Sequence, residues 1–514
     1  MNGAESLVRT LVAGGVDVCF SNPGTSEMHF VTALDRVEGM RCILGLFEGV
    51  VTGAADGYGR MADKPAATLL HLGPGLGNGL ANLHNANKAS TPVVNIVGDH
   101  AVYHRRYDAP LTSDIEGAAR TVSAWVRTSP DAKSVAADGA AAIAAARTSP
   151  GQVATLILPA DTAWNEGSGI AALPAIAEPR RISEDAMKEA ARVLRSKEPA
   201  LILLGGKALR QGALELAGKI AAKTGARLMS EGSVARTERG AGRVAVERIP
   251  YPVDLAVETL KGVKHLILVG SKAPVAFFAY PNKPSLLAPP DCQSHLLVRR
   301  DGDIPHALEW LADELGARSE PAPITAYAPA NPATGAITPE TLGQSIGALL
   351  PENAIVADES ITTGRSFSRL TRASRRHDWL QNMGGSIGLC MPLSVGAAIA
   401  CPDRKVVSLE SDGSGMYTLQ ALWTEARENL NIVTLVFANR TYAILRHELA
   451  NVGAQHVGRK ALDMLDLDRP DLDWVALARG MGVPGTRVET MKAFNASFAE
   501  ALAMRGPYLI EVAM

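Results

Sequence analysis

The chain has no run of basic residues, no paired cysteines and no apolar stretch long enough to cross a bilayer. Net charge is −2 over 514 residues, with Lys and Arg scattered. That removes the electrostatic footprint expected of a protein that binds nucleic acid or an anionic membrane. The five cysteines (Cys19, Cys42, Cys292, Cys390, Cys401) are dispersed and odd in number, and no CxxC occurs. Neither a disulfide framework nor a zinc site is implied, and buried, reduced thiols in a cytoplasmic protein are expected. No apolar run reaches the about 20 residues of a spanning helix. The N-terminal MNGAESLVRTLVAGG reads as a helix, not a signal peptide.

What is present is enough apolar sequence, 47% against 20% charged, for several cores. The length predicts about three domains. Two stretches rich in breakers, 159–181 and 319–340, read as linkers. Within each block short β-branched runs alternate with helical patterns. The runs at 16–20, 66–71 and 92–97 read as strands in the first block. Those at 200–204 and 265–269 do so in the second, and those at 354–357, 405–409 and 432–437 in the third. Continuous apolar strands between helices predict parallel sheets covered on both faces. The fold class is therefore α/β, with three doubly wound parallel-sheet domains at 1–165, 182–318 and 340–514. Ligands of such sheets sit beyond the carboxyl ends of the strands.

Asp412 follows one strand of the third block and Asn439 the next, one strand–helix–strand crossover later. Adjacent parallel strands bring both to one sheet edge. A carboxylate, an amide oxygen and a nearby backbone carbonyl make a hard oxygen site of the kind Mg²⁺ takes beside phosphates. Gly413 and Ser414 are expected to open a helix over 417–426 whose free N–H groups can meet phosphate oxygens. Taken alone, the Asp-Gly turn is equally a helix N-cap. In the first block Glu48 leads a run of small and apolar residues that reads as a tightly packed helix. A carboxyl in that setting can share a proton with a ring nitrogen. Turns after strands also carry Pro23, Gly24 and Thr25, and then His71 to Asn78. A lone histidine after a strand is more often structural than catalytic.

Together these segments resemble the thiamine diphosphate enzymes. Residues Ser411 to Tyr442 are similar to that family's Gly-Asp-Gly…Asn-Asn motif, with Ser411 and Ala438 in place of a glycine and an asparagine. Residues Glu48 to Tyr58 are similar to its Glu…Ala-Asp-Gly-Tyr pattern. The branch resembled holds benzoylformate decarboxylase and acetolactate synthase, through Asn22-Pro23-Gly24, His71, Gly77-Asn78, Ala421-Leu422-Trp423-Thr424 and Leu509-Ile510-Glu511-Val512. The resemblance implies thiamine diphosphate as cofactor, with Mg²⁺ held by Asp412, Asn439 and the Thr441 carbonyl. It places Ile361, Thr362, Gly413 and Ser414 at the diphosphate, the Gly385 carbonyl at the pyrimidine amine and Ile387 as an apolar wedge. Pro23, Gly24, Asn78, Tyr442 and Ile444 would line the cofactor. Glu48 would be the activating acid, with His71 and Thr25 at the reacting end.

The resemblance also names the blocks: pyrimidine-binding (1–165), central (182–318) and diphosphate- and metal-binding (340–514). It implies that Glu48 meets the Asp412 cradle across a dimer interface, within a homotetramer. The implied activity is decarboxylation of a 2-oxo acid through an enamine. A short aliphatic substrate is expected, since Ile444 and Glu448 stand where aryl decarboxylases carry a small residue and an aromatic one. Residues 274–280 carry no second active-site histidine. Carboligation of the acetolactate synthase type is the alternative. A catalytically inactive regulatory homologue is a further one, against which Glu48, Asp412 and Asn439 stand. Gly205-Gly206-Lys207 is too short to be a dinucleotide fingerprint, so FAD is not expected.

Overall fold

The computed structural model describes residues 1–514 and shows three α/β units. The first sheet is parallel throughout, in the order Arg41–Leu44, Val18–Asn22, Ala66–Leu70, Val93–Asp99, Val153–Pro159, Trp125–Thr128. The central sheet is also parallel: Glu247–Arg248, Arg227–Ser230, Ala200–Leu204, His265–Val269, Gln293–Val298. The third runs Gly485–Val488, Tyr508–Ala513, Ile432–Ala438, Val406–Ser411, Ala354–Glu359, His377–Gln381, and ends on Arg236–Arg239. That last strand comes from the central block and pairs antiparallel with His377–Gln381. Its residues are polar and half-buried, as suits a sheet edge lent to a neighbouring unit.

Several expected strands reach further towards their carboxyl ends than their apolar runs do. The run at 405–409 continues to Ser411, and that at 432–437 to Ala438, so Asp412 and Asn439 are the first residues past the sheet. The expected helix at 417–426 is a correction. A single turn, Asp412–Gly415, is followed by an irregular stretch before helix Ala421–Arg427. The Thr418 hydroxyl donates to the Gly388 carbonyl at 2.9 Å, drawing these residues out of helical geometry. The thiols are a second correction: Cys19 and Cys390 are buried, but Cys42 is exposed. No helix is long and apolar enough to cross a membrane.

The first and third units share one core of 43 buried residues. Its centre is the crossing of helix Glu48–Ala62 with helix Cys390–Ala400. A Cβ at Gly57 would lie 2.0 Å from the Leu393 carbonyl oxygen, and one at Gly396 1.8 Å from that of Ala54. Only glycine lets the two backbones touch in this way. Arg60 adds a polar lock. It pairs with Asp56, both buried, and donates to the carbonyls of Ala235 (3.1 Å) and Gln381 (2.6 Å). One side chain of the first unit thus bonds to the other two.

Glu425, in helix Ala421–Arg427, is buried in the same region with neither carboxylate oxygen bonded. Burial pushes its carboxyl up from 4.5 to about 8. The folded state then keeps a proton that the unfolded chain releases in the ordinary glutamate range, so stability falls as pH rises towards about 8. Glu425→Gln is expected to raise the melting temperature by several degrees above about pH 8 and to change it little near about pH 5. A difference independent of pH would show that the carboxyl does not hold this proton.

Candidate active site

Two sheet edges gather the residues singled out above. At the first, strand Val18–Asn22 runs through Pro23 and Gly24 into a single 3-10 turn, Thr25–Glu27. The Gly24 N–H donates to Glu27 Oε2 at 2.8 Å, and the same oxygen lies 2.7 Å from His71 Nδ1. Glu27 is 1% exposed, and its Oε1 has no partner. Burial raises the Glu27 carboxyl, opposed by the Gly24 N–H and by His71. Two glycines make the room. A Cβ at Gly98 would lie 1.6 Å from Glu27 Oε1, and one at Gly24 2.3 Å from the His71 ring. Leu72, just after His71, holds φ at 48°, a strained setting for a branched side chain. Thr25 is exposed, on the same turn.

Glu48 opens helix Glu48–Ala62 and is 7% exposed. Asn78, exposed on helix Leu72–Ala89, donates to its Oε2 at 3.0 Å. The other oxygen, Oε1, faces Gly75, where a Cβ would come within 3.2 Å.

At the edge of the third sheet, Ser411 pairs with Phe437, which brings the turns after both strands side by side. Asp412 is 2% exposed. Its Oδ1 accepts from the Gly413 N–H at 2.9 Å and its Oδ2 from the Arg440 N–H at 2.6 Å. Arg440 is left-handed, φ 57°, which turns that N–H towards the carboxylate. Burial lifts the Asp412 carboxyl to about 6, and no side-chain cation pairs with it. Asn439 Oδ1 accepts from the Thr441 N–H at 3.0 Å, and the Thr441 hydroxyl donates to the Leu465 carbonyl at 2.9 Å. The Tyr442 ring covers Gly413, where a Cβ would lie 2.5 Å from it. Ile444 is half-buried in the first turn of helix Ala443–Asn451. The Ser414 hydroxyl is committed to Glu410, and the Ser411 hydroxyl to the Glu359 carbonyl at 3.0 Å.

The loops between these strands complete the edge. Ile361, next to Thr362, is left-handed at φ 43°, which is strained for a β-branched residue. Gly385 sits at φ 78° before the half-buried Ile387. Their loop hangs from Glu359. Oε2 of Glu359 accepts from the N–H groups of Gly388, Leu389 and Cys390 at 2.9–3.1 Å, and its Oε1 from Asn382 at 2.8 Å. Glu410 is buried beside it. Burial, and then the Glu359 charge, push the Glu410 carboxyl well above the glutamate range. The Asn82 amide joins the two units, donating to the carbonyls of Gly49 (2.8 Å) and Gly388 (3.2 Å).

The expected residues therefore fall into two groups. Glu48, Asn78, His71, Thr25, Pro23 and Gly24 lie at the first edge. Asp412, Gly413, Ser414, Asn439, Thr441, Tyr442, Ile444, Ile361, Thr362, Gly385 and Ile387 lie at the third. No side-chain hydrogen bond within the chain joins Glu48 or His71 to Asp412, Asn439 or Thr441. Sequence reasoning missed Glu27, Glu359 as an anchor, and Asn82. Glu27 lies only two residues beyond Thr25, but its link to His71 crosses strands and leaves no local spacing to read.

A chain with three parallel-sheet units and this pair of edges has the architecture of a cofactor enzyme, and the comparisons name the class. Residues 1–119 match the model described as "Thiamine pyrophosphate enzyme, N-terminal TPP binding domain", and residues 362–512 its C-terminal TPP binding domain. The chain is 53% identical over 514 residues to the Mycobacterium tuberculosis protein named "Putative acetolactate synthase large subunit IlvX", covering 100% of this chain and 99% of that one. It is 29% identical over 528 residues to the benzoylformate decarboxylase of Pseudomonas aeruginosa, covering 97% and 96%. Among solved structures, the Rhodococcus jostii thiamine diphosphate-dependent 4-hydroxybenzoylformate decarboxylase superposes with a TM-score of 0.87 at 25% identity, covering 100% and 99%. The chain belongs to the thiamine pyrophosphate enzymes. It is an enzyme of the decarboxylase or acetolactate synthase type, and its cofactor is thiamine diphosphate.

The residues present fit that cofactor. A buried carboxylate without a cation, flanked by an amide oxygen and a backbone carbonyl, provides hard donors for a metal–diphosphate group. Glycine at 413 and the left-handed Gly385 let the backbone pass close beneath the Tyr442 and Phe277 rings, where a Cβ would lie 2.5 and 2.8 Å from them.

Glu359→Ala would strand three N–H groups at the start of helix Cys390–Ala400. A cost of about 2–3 kcal/mol, read as a lower melting temperature, is expected, with a smaller loss for Glu359→Gln, which keeps an acceptor. An unchanged melting temperature for the alanine variant would contradict the anchoring role.

Proposed function

We propose that this chain is a thiamine diphosphate- and Mg²⁺-dependent decarboxylase of a short aliphatic 2-oxo acid. The observation that carries the reading is the division of the site into two edges, one bearing an acid and an oriented histidine, the other an oxygen cradle. When bound, thiamine diphosphate supplies the electron sink that lets a 2-oxo acid lose CO₂. Asp412, Asn439 and the Thr441 carbonyl hold Mg²⁺, and Ile361, Thr362, Gly413 and Ser414 meet the diphosphate through their backbones. The Gly385 carbonyl and Ile387 position the pyrimidine, with Tyr442, Ile444, Pro23, Gly24 and Asn78 around the rings.

Glu48 holds a proton for the pyrimidine nitrogen. Asn78 fixes its Oε2 and leaves Oε1 free for that exchange. Glu27 accepts from His71 Nδ1, which sets the tautomer with the lone pair on Nε2, ready to move a proton at the reacting end. The Thr25 hydroxyl, exposed on the turn that carries Glu27, hydrogen-bonds the substrate carboxylate in this reading. The first edge of one copy faces the third edge of another, giving two equivalent sites per dimer and a homotetramer as a dimer of dimers.

Carboligation is the second reading, and the 53% identity to a protein named as an acetolactate synthase large subunit favours it. Incubation with thiamine diphosphate, Mg²⁺ and a panel of 2-oxo acids separates the two. An aldehyde supports decarboxylation and a 2-hydroxy ketone carboligation. Preference for an aryl substrate would overturn the aliphatic assignment. Glu48→Gln is expected to lower kcat at least about 10²-fold while cofactor binding is retained. Unchanged turnover would remove Glu48 from its role.

A further inference from the structure

Between the central and third sheets lies a cavity of about 220 Å³ whose wall carries five arginines: Arg239, Arg248, Arg365, Arg369 and Arg372. None of the five has a carboxylate within 4.0 Å. Glu247 is the one acidic side chain on the wall, and it pairs with none of them. Their neighbours outside the cavity behave differently: Arg236 and Arg404 both bond Asp378. In a chain of net charge −2, this is a local excess of positive charge, not a reflection of composition.

Arg239 is the most tightly held of the five. It donates to the Ser368 hydroxyl at 3.1 Å and lies 5.0 Å from the centroid of the Trp379 ring. Burial, and then the nearby Arg248 charge, push its guanidinium down to about 9, opposed by the Asp358 carboxylate behind Trp379, with Arg372 adding a smaller effect. Arg239 and Arg248 are half-buried, and Arg365, Arg369 and Arg372 are exposed at its mouth, so like charges gathered around the space repel one another most strongly at the inner pair. An anion in that space would reverse the sign of this energy. Arginine is the side chain suited to that task, since its planar fork matches the oxygens of phosphate and carboxylate. The volume is below the about 300–1,000 Å³ of ordinary small-molecule sites, so the ligand is compact. No residue of the cavity wall belongs to either edge of the thiamine diphosphate site.

We propose that this cavity binds a compact anion carrying two or more phosphate or carboxylate groups, at a site separate from the thiamine diphosphate cradle. The test uses the full chain loaded with thiamine diphosphate and Mg²⁺, with 3-phosphoglycerate and succinate as probes and free Mg²⁺ held constant. Binding is read by calorimetry and as a rise in melting temperature. At least one probe binds saturably, and the tighter of the two assigns the anion as phosphate or carboxylate. The double variant Arg248→Ala/Arg372→Ala loses about tenfold or more in affinity. The single variant Arg369→Ala probes the same wall independently and is also weaker. Arg479→Ala, which removes an exposed arginine outside the cavity wall, binds as the parent does. Arg248 and Arg372 enter no side-chain hydrogen bond or ion pair, so without probe the double variant melts no lower than the parent. Failure of both probes to bind, binding retained in the arginine variants, or an equal melting shift from sodium chloride at matched ionic strength would overturn the proposal.

Discussion

The contact on which the rest depends is the backbone-to-backbone crossing of helices Glu48–Ala62 and Cys390–Ala400. Gly57 and Gly396 permit it, and any side chain at either would collide with a carbonyl oxygen at about van der Waals overlap or closer. Because the helices touch, two sheets that each fold around their own strands share one core. Both helices begin at functional loops. Glu48 is the first residue of one, and the Gly384–Gly388 loop precedes the first turn of the other. Asn82 ties those two starts together by bonding Gly49 and Gly388. The geometry of each edge is in this sense a consequence of packing within one chain.

Polar groups inside this frame include buried carboxylates at each edge, held by different partners. Burial raises the Glu359 carboxyl, opposed by Asn382 and by the three backbone N–H bonds it accepts at a helix start. Glu410, beside it, is pushed towards the protonated form. Glu27 is held between the Gly24 N–H and the imidazole of His71. Asp412 is likewise buried without a cationic partner, and it alone of these carboxylates stands beside Asn439 at the end of the strand pair Val406–Ser411 and Ile432–Ala438. The arginine-lined cavity is the mirror case, with cations that lack an anion.

Much of this was legible in the sequence. The apolar runs located the central strands of each sheet, and Asp412 and Asn439, expected just past two of them, are the first residues beyond those strands. Parallel topology makes that inference strong, since strand ends and ligand sites coincide. What stayed hidden was whatever depends on contacts between distant segments. The Glu27–His71 bond spans 44 residues and the Asn82–Gly388 bond spans 306. The antiparallel strand Arg236–Arg239 is polar and has no apolar run to announce it. The helix expected at 417–426 starts at Ala421 because Thr418 bonds across to Gly388. Local periodicity cannot register a competitor that lies elsewhere in the fold.

The central claim is that Glu48 of one copy acts on the Asp412 cradle of a second copy. Complementation tests it directly. Glu48→Gln and Asp412→Asn are purified separately, each expected to be inactive, then mixed and allowed to exchange subunits. If each site draws on two copies, half of the randomly mixed dimers contain one intact site, and about a quarter of the parent activity returns. If mixing restores nothing although subunit exchange is demonstrated, both residues serve the same site from a single chain and the account is wrong.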